Sequence, residues 1–429
     1  MSAIEHDPTA TTDLTSRVPR RRWLVTGLVL VITTVAFIDR VNLSVAAPVL
    51  IREFGTNTAV MGLLLSSFSW TYTLLNLPAG RLVDRVGPRV AYTGALLVWS
   101  VASLAGAGVS SAGAMFGPRL LLGVGEAPFI PAAVRTLSDW LPRSERGLAS
   151  GVFISGVALG SAVGPPILGA VVSAAGWRAG FLVTAALSLV VAVVWFLWYR
   201  SPGTDPRLSA AERALIEADQ EPVERVGAAP WRVLVRHRDV WALTAGYFCL
   251  LYILYTFVSW VPGYLVADRH MTLLGSGFAT AVPWLCAVVV TIVGGKLVDL
   301  AVRRGLRVVT ARKVVLVGGM VAALAILGTA LTGSSVVAIV CLSVSTSGIS
   351  LANGACWAAT QDVARRSGLT GSAAGFVNGI ANVGGLLGPI VTGYLAYATY
   401  SFVVPLVVAA GLALVGALVW LGALRAGEH

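Results

Sequence analysis

Phe37-Ile38-Asp39-Arg40-Val41-Asn42-Leu43-Ser44-Val45-Ala46-Ala47-Pro48 sets an acid and a base side by side in an apolar run where, from Leu24 to Leu50, nothing else ionises. A run of that length spans a bilayer, and a charge at the centre of such a helix costs about 2.5–3.5 kcal/mol on the insertion scale. Neither side chain is tolerated against lipid, so both are expected to face a polar cavity or a partner. Two outcomes are open: a charge pair that only packs helices together, or an ion or substrate path.

Composition fixes the class around that stretch. Of 429 residues 12% are charged and 56% apolar, and 47 are glycine; mean hydropathy is +0.81. A water-soluble chain of this length does not show such values, and abundant glycine suits helices that approach closely in lipid. Apolar runs lie near 24–49, 59–79, 90–109, 113–134, 148–172, 178–199, 239–264, 273–295, 313–332, 335–358, 371–396 and 401–424. The expected fold class is therefore an all-α polytopic membrane protein of twelve spans. Cys249, Cys286, Cys341 and Cys356 fall inside the runs without metal or disulfide-framework spacing and read as small core residues. No metal or cofactor is implied. His6, His237, His270 and His429 lie outside the runs, so an intramembrane proton relay has to use carboxylates.

The formal charge of +11 is a topology signal. With the N-terminus placed inside, all but five of the 31 Lys and Arg residues fall in the inner connections and the tails; Arg52, Arg178 and Arg269 are outer, and Arg40 and Arg119 lie within runs. This is the positive-inside bias, with basic ends against anionic lipid. It argues against nucleic acid as a partner and puts both termini on the cytoplasmic side of a cell (inner) membrane. Residues 1–22 read as a cytoplasmic tail without a cleavable signal, because the run after them is of full span length. A bundle over 23–199, a linker over 200–238, a second bundle over 239–424 and a tail over 425–429 complete the division. Within the linker, Glu212-Arg-Ala-Leu-Ile-Glu-Ala-Asp-Gln220 reads as a short surface helix with a weak apolar face.

A repeat supports the two halves. Gly80-Arg-Leu-Val-Asp84 after the second run recurs as Gly295-Lys-Leu-Val-Asp299 after the eighth, half the chain further on. Gly160-x3-Gly164-Pro165-x3-Gly169 in the fifth run recurs as Gly384-x3-Gly388-Pro389-x3-Gly393 in the eleventh. Two six-helix halves with matching punctuation imply pseudo-symmetric bundles about a central path, with alternating access by rocking. The Gly-Pro pairs read as close packing and a bend.

Apart from Asp239 on the first position of the seventh run, the acids of the twelve runs are Asp39 and Glu126. A proton carried across on an acid has to use one or both. At 1.5 Å per residue Asp39 and Arg40 lie roughly 22–24 Å from the inner start of their span, and Arg119 roughly 9 Å from the outer start of its own, so the three share a depth. Arg119 and Glu126 are seven residues apart on one helical face, which puts Glu126 about 10 Å deeper. Arg40 is a planar, always-charged fork suited to a carboxylate, hence the expected grip on an anionic substrate. Asp39 and Glu126 are the expected proton carriers, and Arg119 their structural or coupling partner. Tyr72 reads equally as core or as a hydrogen-bonding wall of the cavity. Trp357 reads as packing, and Asn378 and Asn382 as interhelical glue; Asn42, Asn76, Tyr252 and Tyr255 read as structural.

Gly80-Arg-Leu-Val-Asp84-Arg85-Val-Gly87-Pro-Arg89 resembles the loop signature of the major facilitator superfamily, and Arg119-Leu-Leu-Leu-Gly123-Val-Gly125-Glu126-Ala127 resembles its fourth-helix signature. Within it, the Asp39-Arg40 stretch, Trp70-Thr-Tyr72 and Gly125-Glu126-Ala-Pro-Phe-Ile-Pro131 are similar to the anion:cation symporter family, above all its galactonate, hexuronate and other sugar-acid members, over nearly the whole chain. The resemblance implies proton-coupled import of a small organic anion by a monomer. It implies substrate contact at Arg40, Tyr72, Trp357 and Asn378, and proton coupling at Asp39 and Glu126. It also implies a cytoplasmic gate at Asp84, Arg85 and Asp299. The chain departs from the sugar-acid pattern at Phe37, Val157 and Cys356, each of which lacks a hydroxyl or amide partner for a sugar acid. A less hydroxylated carboxylate, aromatic ones included, therefore competes with a sugar acid, and an exporter or exchanger on the same fold is the other alternative. An enzyme is not expected, since the histidines are scattered and the runs hold no paired acids.

Overall fold

The computed structural model describes residues 21–218, 238–367 and 370–423, with backbone alone at 77, 143–144, 218, 295–303, 308–309, 361–367, 370–372, 374 and 423. The helices are α1 (Arg21–Glu53), α2 (Thr58–Ala107), α3 (Ala112–Glu126), α4 (Phe129–Trp140), α5 (Arg143–Trp198), α6 (Ala210–Ala218), α7 (Arg238–Ala267), α8 (Leu273–Arg303), α9 (Val308–Ala323), α10 (Ile326–Leu331), α11 (Ser335–Ser367), α12 (Thr370–Thr399) and α13 (Val403–Ala423). Residues 1–20 of the expected N-terminal tail, the whole expected tail at 425–429 and linker residues 219–237 lie outside the described residues.

Two of these helices are hairpins. Gly87 in α2 (φ 77°) and Gly176 in α5 (φ 82°) leave the helical region at positive φ values that favour glycine, which has no Cβ. The Tyr72 ring lies 5.2 Å from the Arg40 guanidinium, while Ser103 donates to neighbouring Asp39 at 2.9 Å. An unbent helix would hold residues 72 and 103 about 45 Å apart, so the limbs of α2 run antiparallel. α5 folds back in the same way, with Gly160 against Thr34 on one limb and Thr184 on the other accepting from Asn42 at 3.2 Å. α3 and α4 form one span interrupted at Pro128, which has no N–H to continue the ladder, and α9 with α10 form another. The 54-residue apolar stretch Glu145–Trp198 supplies two spans, which brings the total among the described residues to the expected twelve. Outward-facing residues such as Leu74, Leu148, Leu197 and Val336 are exposed and apolar, as a lipid-facing surface requires. α7 is the most enclosed span, with 78% of its apolar window buried.

The first bundle begins earlier than the basic tail suggested. Arg21 and Arg22 open α1 and are buried. The linker is also more than a surface helix: Glu212 of α6 is fully buried and accepts from the backbone N–H of Arg22 at 3.0 Å and from its guanidinium at 3.1 Å. It caps the open N-terminus of α1 from far along the chain, supplying the acceptor that the local sequence lacks. Arg21 pairs with buried Asp205 at 2.6 Å and Arg22 with Glu145 at 2.7 Å. Capping from a distant segment carries no local sequence signal, and for that reason α6 looked unpartnered.

The repeated Gly-Pro motifs do equivalent work in the two halves. Gly160 and Gly164 let α5 close on the Thr34–Val41 side of α1, and Gly384 and Gly388 let α12 close on Phe248 and Tyr252 of α7. Beyond each proline the same helix crosses to the other half: α5 meets α8, where a Cβ on Gly277 would stand 2.5 Å from the Pro165 carbonyl oxygen, and α12 meets α2, where a Cβ on Gly62 would stand 2.5 Å from that of Pro389. Ser44 of α1 adds a hydrogen bond to the Ser259 carbonyl of α7 at 2.6 Å. All three contacts lie in the end away from the arginine-rich connections. At the arginine-rich end, the pairs Arg22–Glu145 and Arg135–Asp84 stay within the first half. The halves are thus closed against each other at the arginine-poor end.

Gly62→Val should force the α2–α12 crossing apart. Overpacking of this kind costs about 1–3 kcal/mol, which moves a two-state equilibrium about 5–150-fold. Labelling of a cysteine placed at Ser44 by an impermeant maleimide from the arginine-poor side should accelerate accordingly; an unchanged rate would show that closure does not depend on this crossing.

Candidate functional site

Adjacent residues on a helix point about 100° apart, and the enclosed middle of α1 turns that offset into two separate ionic environments. Arg40 faces Glu126 of α3, donating from Nε at 2.6 Å and from a terminal nitrogen at 2.5 Å, both to Oε2. Glu126 is fully buried and its Oε1 has no partner, while Arg40 keeps 7% exposure. Of the pair, the guanidinium alone retains any exposure. Three rings enclose it, Phe37 at 4.7 Å, Phe68 at 5.3 Å and Tyr72 at 5.2 Å, each a cation–π contact.

The depth expected from counting residues put Glu126 about 10 Å from Arg40, yet the two are in direct contact. Side chains lean toward the N-terminus of their own helix. α1 and α3 run in opposite directions, so the long arms of Arg40 and Glu126 lean toward each other and close the gap. As a result, in this state the expected anion grip is already occupied by an internal carboxylate.

Asp39 points elsewhere. Ser103, on the second limb of α2, donates to both of its carboxylate oxygens at 2.9 Å. Arg119 of α3 is its electrostatic partner, with Thr184 of α5 alongside. Arg119 shares the Phe68 ring with Arg40, its guanidinium 5.1 Å from the centroid. Arg40 and Arg119 thus share one ring, Arg40 in a salt bridge with Glu126 and Arg119 as the electrostatic neighbour of Asp39.

The second half contributes aromatic and amide groups. Trp357 of α11 is half-buried and donates from its indole nitrogen to the Tyr247 hydroxyl at 3.1 Å, with the rings edge to face at 5.7 Å. Asn378 of α12 accepts from the Asn382 amide through its backbone oxygen at 2.8 Å and its side-chain oxygen at 3.0 Å. Both residues lie on α12, so these bonds stay within one helix and do not make the interhelical link expected of the two asparagines. Tyr255 of α7, which read as structural, lies within electrostatic reach of Arg40 and Tyr72. It fits there because Gly385 has no Cβ, which would stand 2.7 Å from the Tyr255 ring. Tyr247, Tyr255 and Ser103 were missed from sequence: a tyrosine or serine inside an apolar run is ordinary, and only the fold shows what it faces.

The residues expected to gate fall at the arginine-rich end. Asp84 is exposed and accepts from Arg135 of α4 at 3.3 Å, within its own half, while Arg135 is held more tightly by Asp139 at 2.9 Å. Arg85 is exposed. The side chain of Asp299 lies outside the described residues.

The chain matches the Major Facilitator Superfamily model over residues 29–381. It is 33% identical over 413 residues to a D-galactonate transporter of Escherichia coli, covering 93% of this chain and 94% of that protein. It is also 33% identical over 404 residues to a probable sulfoacetate transporter of Cupriavidus necator, at 93% of each chain, and 30% identical over 385 residues to a hexuronate transporter of Bacillus subtilis, at 89% and 90%. Among solved structures, an inward-facing bacterial homologue of the human lysosomal transporter Spinster superposes with a TM-score of 0.74 at 19% identity, over 94% of this chain and 97% of that one. With the helices, the halves and these similarities in agreement, the chain belongs to the major facilitator superfamily, a multi-pass membrane transporter of the sugar-acid relatives' kind in sequence.

Proposed function

We propose that this protein imports a small organic anion together with protons across the inner membrane by alternating access, with both termini cytoplasmic. The observation that carries the proposal is the buried Arg40–Glu126 pair, in which the one guanidinium suited to a substrate carboxylate is held by an internal acid. A substrate anion has to displace Glu126 to reach Arg40. Leaving that carboxylate ionised, buried and unpaired would cost about 3–5 kcal/mol. Protonation removes the cost, and the unpartnered Oε1 is the atom free to take the proton. On this reading anion and proton enter as a linked pair, and the buried salt bridge supports symport. The linkage has a definite sign: affinity for the anion rises as pH falls, because binding takes up a proton.

Relatives named for galactonate and hexuronate transport support a sugar acid as the substrate. A second reading, a small anion with few hydroxyls, is favoured by Phe37, whose ring packs 4.7 Å from the Arg40 guanidinium in place of a hydrogen-bonding side chain. The equally similar relative named for sulfoacetate supports the same reading. Trp357, Asn378, Tyr72 and Tyr255 are assigned to the wall of this cavity. Asp84, Arg85 and Asp299 are assigned to gating at the cytoplasmic end, where the closed state would require contacts across the halves.

Three outcomes test the proposal. Arg40→Ala should abolish anion-dependent thermal stabilisation and also destabilise the protein by about 3–5 kcal/mol, whereas Arg40→Ala with Glu126→Ala should regain most of the stability but none of the binding. Retained binding in either variant would remove Arg40 from the site. In proteoliposomes, Glu126→Gln should lose pH-driven accumulation, keep exchange of substrate for substrate, and bind the anion with an affinity that no longer varies with pH. A wild-type protein that exchanges anions but never accumulates them against a gradient would be an exchanger.

A further inference from the structure

Four arginines gather at the last turn of α5, and only two of them meet an acid. The Arg21 guanidinium lies 4.4 Å from the Trp198 ring and pairs with Asp205. Arg207 donates to the Trp198 carbonyl at 2.7 Å and stands 3.5 Å from the same Asp205. Arg89, from the second limb of α2, donates to the Phe196 carbonyl through Nε at 3.0 Å and a terminal nitrogen at 2.7 Å. Arg200 donates to that same carbonyl at 3.2 Å and to that of Tyr199 at 3.0 Å. Among the described residues these carbonyls are the only hydrogen-bond acceptors of Arg89 and Arg200, and neither has a carboxylate within ion-pair distance. Both are half-buried, and they are close enough to repel each other. Cations are favoured at the unpaired carbonyls of a helix C-terminus, but such an end carries only about half a negative charge. Against two full positive charges it leaves a surplus that capping alone does not neutralise.

The surroundings decide which counter-ion fits. The Phe196 ring, 4.5 Å from the Arg89 guanidinium, is exposed, as are Val193 and Leu197 beside it on α5 and Val90 next to Arg89 on α2. An exposed apolar surface on a span faces lipid. The second limb of α5 ends here, so this surface lies on the membrane side of the two guanidiniums, at the level where headgroups meet acyl chains. We propose that Arg89 and Arg200 together hold the phosphate of an anionic phospholipid headgroup, with its acyl chains along Phe196 and Leu197. Guanidinium forks match phosphate oxygens, and Arg89 has N–H groups beyond the two it gives to Phe196. A soluble phosphate would answer the charge and leave the apolar surface unused, whereas a phospholipid answers both. Arg21 and Arg207, already balanced by Asp205, take no part. The bound lipid bridges the second limbs of α2 and α5 on the outside of the first half, apart from the anion path, and the site does not depend on which anion is carried.

The test titrates the full-length protein in neutral detergent with phosphatidylglycerol, phosphatidylcholine or inorganic phosphate, reading bound lipid by native mass spectrometry and the unfolding temperature. The wild type should retain phosphatidylglycerol and be stabilised by it, while phosphatidylcholine and inorganic phosphate at equal concentration give no such shift. Arg89→Gln with Arg200→Gln should hold phosphatidylglycerol roughly 30-fold more weakly, the effect of two cations near an anionic surface. Arg52→Gln with Arg178→Gln, the same loss of charge at the arginine-poor end, should stay within about twofold of wild type, since charges that far apart are screened. Arg89→Lys with Arg200→Lys keeps cations at the helix end and removes only the forks, so it should fold as the wild type does and hold the lipid about fivefold more weakly. Wild-type retention in either folded pair overturns the site. Equal stabilisation by inorganic phosphate, the sign of a soluble-anion site, also overturns it, as does equal retention of phosphatidylcholine, the sign of a surface that does not read charge.

Discussion

Charge neutrality inside a lipid-embedded half is the constraint from which the site follows. Two carboxylates and two guanidiniums in one bundle cannot be satisfied by water or lipid, so each must find its opposite across a helix–helix contact. Asp39 and Arg40 are neighbours in sequence but cannot neutralise each other productively, because α1 aims them in different directions. Arg40 instead reaches Glu126 of α3 in a salt bridge, while Asp39 accepts from Ser103 and feels the charge of Arg119. The seven-residue spacing of Arg119 and Glu126 keeps both on one face of α3. One helix thereby holds the counter-charges of both neighbours in α1, and any change at one alters the field at the other.

Under the proposed symport the same pairing gives the first half two arrangements. With Glu126 ionised, Arg40 is satisfied internally; with Glu126 neutral, Arg40 needs an external anion. An aromatic enclosure of Phe37, Phe68 and Tyr72 keeps the surroundings weakly polar, which strengthens the electrostatic competition between the two carboxylates. Closure of the halves involves other residues: Gly62, Gly169, Gly277 and Gly393 bring backbones together at the arginine-poor end. Small residues allow tight contact without side-chain interlocking, so such a seam separates without unpacking a core. Chemistry and closure are thus built from different residue types on the same helices.

Much of this was legible in the sequence. The spans, the two halves and the four buried charges are properties of hydropathy and of residue type, and they survive in the structure because lipid punishes any other arrangement. The contact between Arg40 and Glu126 was not legible, since residue counting locates Cα atoms and ignores the lean of long side chains along antiparallel helices. The buried role of Glu212 was hidden for a related reason: its partners, Arg21 and Arg22, look like tail residues until the helix they open is seen. Tyr255 and Ser103 carry no signal at all in one dimension. Their importance comes from facing Arg40 and Asp39, which only the packing of α7 and the folding back of α2 at Gly87 bring about.

The substrate class can be narrowed by asking which hydrogen-bonding groups remain available. Trp357 gives its N–H to Tyr247, and the Asn378 side-chain oxygen already accepts from Asn382, so the second half offers fewer unengaged donors and acceptors than its residue types suggest. Phe37, Val157 and Cys356 offer none for a sugar hydroxyl. A polyhydroxy acid entering such a cavity would leave several hydroxyls stripped of water and unmatched, each at about 1–3 kcal/mol. Either the second half rearranges to release Trp357 and Asn378, or the ligand carries few hydroxyls to begin with. The first alternative couples ligand binding to movement of α11 and α12, and the second needs no such movement, so the hydroxyl count of the preferred anion reports on how far the second half must move to bind it.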